Sequence, residues 1–60
     1  MTSNERKAEL LKLVRKDIIH NCKEAYNESN DADETLFINF EINRIIAELN
    51  YSINYYEVHK

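Results

Sequence analysis

Four asparagines, Asn39, Asn43, Asn50 and Asn54, recur along the second half of the chain at spacings that place them in one strip of a helix. Asparagine is a mediocre helix former, so four on one side carry a cost. One reading of the strip is a solvated edge of the kind an AT-rich coding bias produces. The other is that an amide enters a partner's active site and holds a water there. An amide can orient an attacking water in phosphoryl chemistry, although it cannot remove the proton. A second candidate is Arg15, which falls roughly 40° from Leu11 and so projects into the apolar arc of the first helical segment. Its stem can cover the core edge while the guanidinium reaches water or a carboxylate such as Glu41 or Glu48. Alternatively it is a fixed positive fork that receives an anion or an acidic partner residue.

Other reactive types do not assemble. His20 and Cys22 lie on opposite sides of one helix, and Cys22 sits in the apolar arc as a core residue, so neither they nor His59 form a metal site. No Ser/His/Asp or Cys/His nucleophile arrangement is supported, because two helices alone build no pocket. Tyr51, Tyr55 and Tyr56 can stack on bases, but they have no basic surround and read better as an interface or a packed helix end. No cofactor and no metal are expected.

The elements that must position these residues follow from capping and periodicity. Thr2 followed by Glu5 is a capping-box pattern that starts a helix at about residue 3. Ala8, Leu11, Val14, Ile18, Ile19, Cys22, Ala25 and Tyr26 then recur at spacings of three and four, an apolar arc lasting to about Asn27. Glu9, Lys16, His20 and Lys23 occupy the other side. The run from Asn27 to Asp33 has no apolar period and is rich in side chains that compete for backbone amides, which predicts a loop. Asp31 or Asn30 should cap a second helix over about 32–58, with Asp33 and Glu34 in its first turn and His59 and Lys60 at its negative end. The alternation in Phe37–Ile42 offers a strand as the rival reading, but the helical period on both sides outweighs it. A short loop makes the helices antiparallel neighbours.

The second helix has two apolar faces. Ile38, Ile42, Ile45, Ile46, Leu49, Ile53 and Tyr56 fall on one side; Leu36, Phe37, Phe40, Ala47, Tyr51, Tyr55 and Val58 gather roughly opposite. One partner helix cannot cover both, so the second face is expected to meet another protein or another copy of this chain.

Composition narrows the classes further. Sixty residues form one small domain, 1–60, and chains of this length bury only about 60% of the surface exposed on unfolding. The single cysteine excludes an internal disulfide or a multi-cysteine zinc site, which leaves association as the stabilising device. The absence of glycine and proline removes glycine phosphate loops and dinucleotide fingerprints. Residues 1–27 hold six Lys/Arg against four Asp/Glu (+2), and residues 28–60 hold two against seven (−5). The halves attract, and the acidic one does not suggest nucleic acid. No long apolar run and no leader pattern stand out, so neither a membrane span nor a signal peptide is expected, and a cytoplasmic location fits best.

Residues 34–46 resemble the helix-two signature of the small two-helix sporulation phosphatases of bacilli. That family's motif is Ser-Gln-Glu-Leu-Asp followed by a basic residue and two aliphatics. Here Asn39-Phe40-Glu41-Ile42-Asn43-Arg44-Ile45-Ile46 matches it at Glu41, Ile42, Arg44 and the final aliphatics, and departs at the Ser, Gln and Asp. Leu11, Arg15, Ile18 and Ile19 are similar to the family's helix-one pattern. The resemblance implies binding to a phosphorylated response regulator, with Asn43 addressing the phosphoryl site, Glu41 and Arg44 flanking it and Arg15 pairing nearby. Asp31-Ala32-Asp33-Glu34 is also similar to the turn of Rop, an RNA-binding hairpin that dimerises into a four-helix bundle.

The expectation is therefore an all-α antiparallel hairpin, completed by dimerisation or docking, that regulates a bacterial or phage signalling protein by laying helix two onto it. A response regulator is one candidate target. The expected contact residues are Arg15, Asn39, Phe40, Glu41, Asn43, Arg44, Ala47, Asn50 and Tyr51. The alternatives are a phosphatase in which Asn43 places water, a Rop-type homodimer that binds RNA, and an acidic phage-type inhibitor.

Overall fold

The structure, a computed structural model, describes residues 2–59. It consists of two α-helices, α1 (Ser3–Glu28) and α2 (Ala32–Val58), packed against each other as a hairpin. The rival strand at 37–42 does not form; those residues lie within α2.

Capping chemistry sets the ends. Thr2 stands in extended backbone before α1, and its hydroxyl oxygen accepts from the Glu5 N–H at 3.1 Å. The Glu5 carboxylate takes the Thr2 hydroxyl proton at 3.3 Å, so the box closes side chain to side chain. At the far end α1 runs to Glu28, one residue beyond the expected end, and the connection shrinks to Ser29–Asp31. Ser29 terminates it by donating both its backbone N–H (3.3 Å) and its hydroxyl (2.7 Å) to the Tyr26 carbonyl. No described residue has positive φ, so the turn is made without the left-handed conformation that would favour glycine.

Asp31 caps α2, accepting from the Glu34 N–H at 2.9 Å, while the Glu34 carboxylate reaches back to the Asn30 N–H at 2.7 Å. The acidic first turn, Asp33 and Glu34, lies where the helix dipole favours anions. The expected choice between Asn30 and Asp31 thus resolves to Asp31, with Asn30 bonded one position earlier. At the C-terminal end the His59 N–H donates to the Tyr55 carbonyl at 3.0 Å. Lys60, expected at the same end, lies outside the described residues.

The inner seam is narrow. Ala8 (2% exposed) and Ile53 (5%) are the buried apolar residues, and Leu11, Ile18, Cys22, Ile38, Ile42, Ile46, Leu49 and Tyr56 are half-buried around them. Val14, Ile19 and Ala25, which the spacing places in the apolar arc of α1, are exposed. A single neighbouring helix covers a stripe narrower than that arc, so its two margins stay in solvent. The radius of gyration is 14.2 Å and the principal extents are 45 × 16 × 7 Å. A compact chain of this length would have a radius near 10 Å, so the hairpin is a slab one helix pair wide, and the described residues place no second layer over either broad face.

Candidate protein-binding surface

The outer face of α2 is the largest unpartnered feature. Leu36, Phe37, Phe40, Tyr51, Tyr55 and Val58 are 50–76% exposed. Exposed Ala47 and Arg44 continue the stripe through its middle. All these residues fall on the side of α2 opposite Ile42, Ile46, Leu49 and Ile53, which face α1. The inner residues dictate where the outer ones point: once Ile42, Ile46 and Ile53 are on the seam, with Ile45 left exposed at its edge, the aromatic stripe has nowhere to go but outward. A contiguous apolar stripe containing four aromatic rings on so small a protein is the kind of surface that marks association.

The two flanks of the seam differ. On one, polar groups fasten the helices together. Lys12 Nζ lies 2.8 Å from Glu57 and 3.5 Å from Glu9, Arg15 donates to Asn50 Oδ1 at 2.6 Å, and the Tyr26 hydroxyl donates to Asn39 Oδ1. The hydrogen bond to Glu57 raises the Lys12 pKa above its ordinary value, against a smaller opposing effect of desolvation. On the other flank Lys7, Leu10, Leu11, Val14 and Tyr56 line an open groove of about 250 Å³, with Lys7 Nζ 5.4 Å from the centre of the Tyr56 ring. That cation–π contact covers one end of the groove. The groove is smaller than the ~300–1,000 Å³ of ordinary ligand pockets and is open to solvent along its length. Leu10 lies just beyond the apolar arc of α1, beside Val14 within it, on a helix-one face that is apolar where a Rop-type hairpin carries a polar, basic one.

The expected contact residues separate into three groups. Phe40, Asn43, Arg44, Ala47 and Tyr51 are exposed, and Phe40, Ala47 and Tyr51 lie along the middle of the outer stripe. Glu41 is half-buried and pairs with Arg44 one turn on. Arg15, Asn39 and Asn50 instead hold α1 to α2. The expected partner of Arg15 was a carboxylate, Glu41 or Glu48; it is the Asn50 amide, because Asn50 stands on the same flank as Arg15 while both glutamates project from the other side of α2. The asparagine strip accordingly divides: half-buried Asn39 and exposed Asn50 bond across to α1, and Asn43 and Asn54 are exposed without a hydrogen bond among the described residues.

Of the remaining candidates, the half-buried Cys22 donates its thiol to the Ile19 carbonyl at 3.1 Å, a local helix contact. Among the described residues no group of three His, Cys, Asp or Glu converges to hold a metal ion. Tyr55 packs edge-on to Tyr56 at 5.3 Å and lies 4.4 Å from the His59 ring, so Tyr55 and Tyr56 belong to a packed helix end, while Tyr51 belongs to the stripe alone. No described helix is long and apolar enough to cross a membrane. In comparisons with known proteins, no family model, no curated protein and no solved structure matches this chain.

Proposed function

We propose that this chain is a regulatory protein-binding hairpin that docks the outer face of α2 onto a target protein, with a bacterial response regulator as the candidate target. The observation that carries the reading is the aromatic stripe itself, exposed over the whole length of α2 while the inner face satisfies α1. Aromatic residues and arginine are the types enriched where protein interfaces concentrate their energy, and Phe40, Arg44 and Tyr51 follow one another along the stripe. The cytoplasmic setting belongs to this reading, since response regulators work there.

The test is titration of a phosphorylated receiver domain with the wild-type chain and with Phe40→Glu, with helicity followed in both. Phe40 is exposed, so the variant keeps the hairpin and is expected to lose about tenfold or more in affinity. Equal affinity for the two proteins would sink the reading.

A second reading rests on Asn43, whose exposed amide beside the stripe is free to hold a water. If the docked amide orients that water toward an aspartyl phosphate, the receiver loses its phosphoryl group faster when the hairpin is added, and Asn43→Ala abolishes the acceleration. Loss of label at the intrinsic rate in the presence of saturating hairpin would remove this reading and leave the docking one intact.

A further inference from the structure

The outer stripe of α2 is complementary to itself when reversed. Phe37, Phe40, Arg44, Ala47, Tyr51, Asn54 and Val58 follow one another at alternating steps of three and four, the seam of a heptad repeat. Antiparallel pairing sets the a layers of one helix against the d layers of the other. In one register Phe40 meets Tyr51 of a second copy, Arg44 meets Ala47 and Phe37 meets Asn54, with Tyr55 beside Phe37 on the same side of the seam; the apolar layers therefore span the central part of the helix, and Val58 falls at its end opposite Asp33. The centre of that register falls at residues 45–46, the middle of α2 (Ala32–Val58), so neither helix overhangs the other.

The middle of the register is also where shape and charge agree. Ala47 is the smallest member of the stripe and lies next to the two-fold axis, where it makes room for the arginine of the other chain. Arg44 then stands between its own Glu41, with which it already pairs, and Glu48 of the second copy, which is exposed and without an ion-pair partner among the described residues. Four rings per chain, each able to bury about 150–250 Å², together with Leu36 and Val58, bring the available area to the order of the ~800 Å² per partner of a stable interface.

We infer that a second copy of this chain occupies the outer face of α2 in this antiparallel register, and that self-pairing masks the docking surface until a target displaces it. The second clause rests on the docking reading above; the first does not. The net negative charge of residues 28–60 opposes the meeting of two α2 helices, which keeps the dimer reversible. Target binding and self-association then compete, so apparent affinity for a target falls as the concentration of the hairpin rises.

Two measurements on the full chain test this. The first is sedimentation of the unmodified protein under reducing conditions over a wide concentration range. The second is oxidation of Phe40→Cys, Tyr51→Cys and their mixture, each in a Cys22→Ala background. In the proposed register the mixture forms a mixed disulfide, whereas Phe40→Cys alone does not cross-link, because its two copies stand about 16 Å apart along the axis, beyond the ~7 Å Cα separation that a disulfide spans. A reversible dimer with that cross-linking pattern is the expected result. A monomer at every concentration, or Phe40→Cys cross-linking to itself, overturns the inference. A monomer that still binds a receiver domain in a Phe40-dependent way overturns self-pairing alone. A dimer in this register whose Phe40→Glu variant binds the receiver normally supports self-pairing and overturns the docking reading.

Discussion

The inner face of α2 is aliphatic, with Ile38, Ile42, Ile46, Leu49 and Ile53 set against α1; the outer face is aromatic, with Phe37, Phe40, Tyr51 and Tyr55 in solvent. Both are apolar by periodicity, but their chemistry differs. Branched aliphatics have few rotamers and fill a close helix–helix seam. Tyrosine and phenylalanine present large flat areas at low conformational cost, and the tyrosine hydroxyl tolerates water while the surface waits for a partner. A helix can therefore carry two hydrophobic faces with two destinations, one met within the chain and one outside it.

Substitution on the inner face should be the most damaging. Ile53 is almost fully buried, and Ile53→Ala is expected to cost about 2–5 kcal/mol, enough to unfold much of a marginal hairpin. Urea denaturation measures it. A change as small as that of an outer-face truncation would mean that the two faces are not energetically distinct.

On the outer face the expected effect is on association. Arg44→Glu and Glu48→Arg should each weaken self-association by about tenfold or more, and an equimolar mixture of the two variants should restore it, because each then offers the charge the other lacks. Sedimentation of the separate and mixed proteins checks this. Failure of the mixture to recover would remove the Arg44–Glu48 contact from the dimer.

Smaller again is the polar flank. Asn50→Ala strips Arg15 of its interhelical acceptor, and Tyr26→Phe removes the bond to Asn39; each should cost about 0.5–1.5 kcal/mol, read as a lower denaturation midpoint with helicity retained. The smallest effect is the pH dependence of the Lys12–Glu57 pair. The folded-state pKa of Lys12 is raised, so its contribution is fully present below the ordinary lysine value of about 10.4 and is lost as pH climbs through the raised one. Because the half-buried Lys12 side chain keeps contact with solvent, only a slight extra alkaline loss of stability is expected relative to Glu57→Gln. Coincident stability–pH curves for the two proteins would dismiss the pair.

Much of this protein is determined locally and is therefore legible without a structure. Thr2 and Asp31 cap because their side chains accept from amides three residues on, and the helical periods of Ala8–Tyr26 and Ile38–Tyr56 are properties of each segment alone. The existence of a second apolar face on α2 follows from the same arithmetic. What spacing does not reveal is azimuth between helices. Only the packed hairpin decided that Arg15 meets Asn50 and not Glu41 or Glu48, that Asn39 and Asn50 bond across to α1 while Asn43 and Asn54 do not, and that Val14 and Ile19 remain at exposed margins. A helix fixes its own faces through short-range hydrogen bonds, but which face meets a neighbour, and how wide a stripe the neighbour covers, depends on the rotation and offset of two rigid rods, and those are set by packing across the seam.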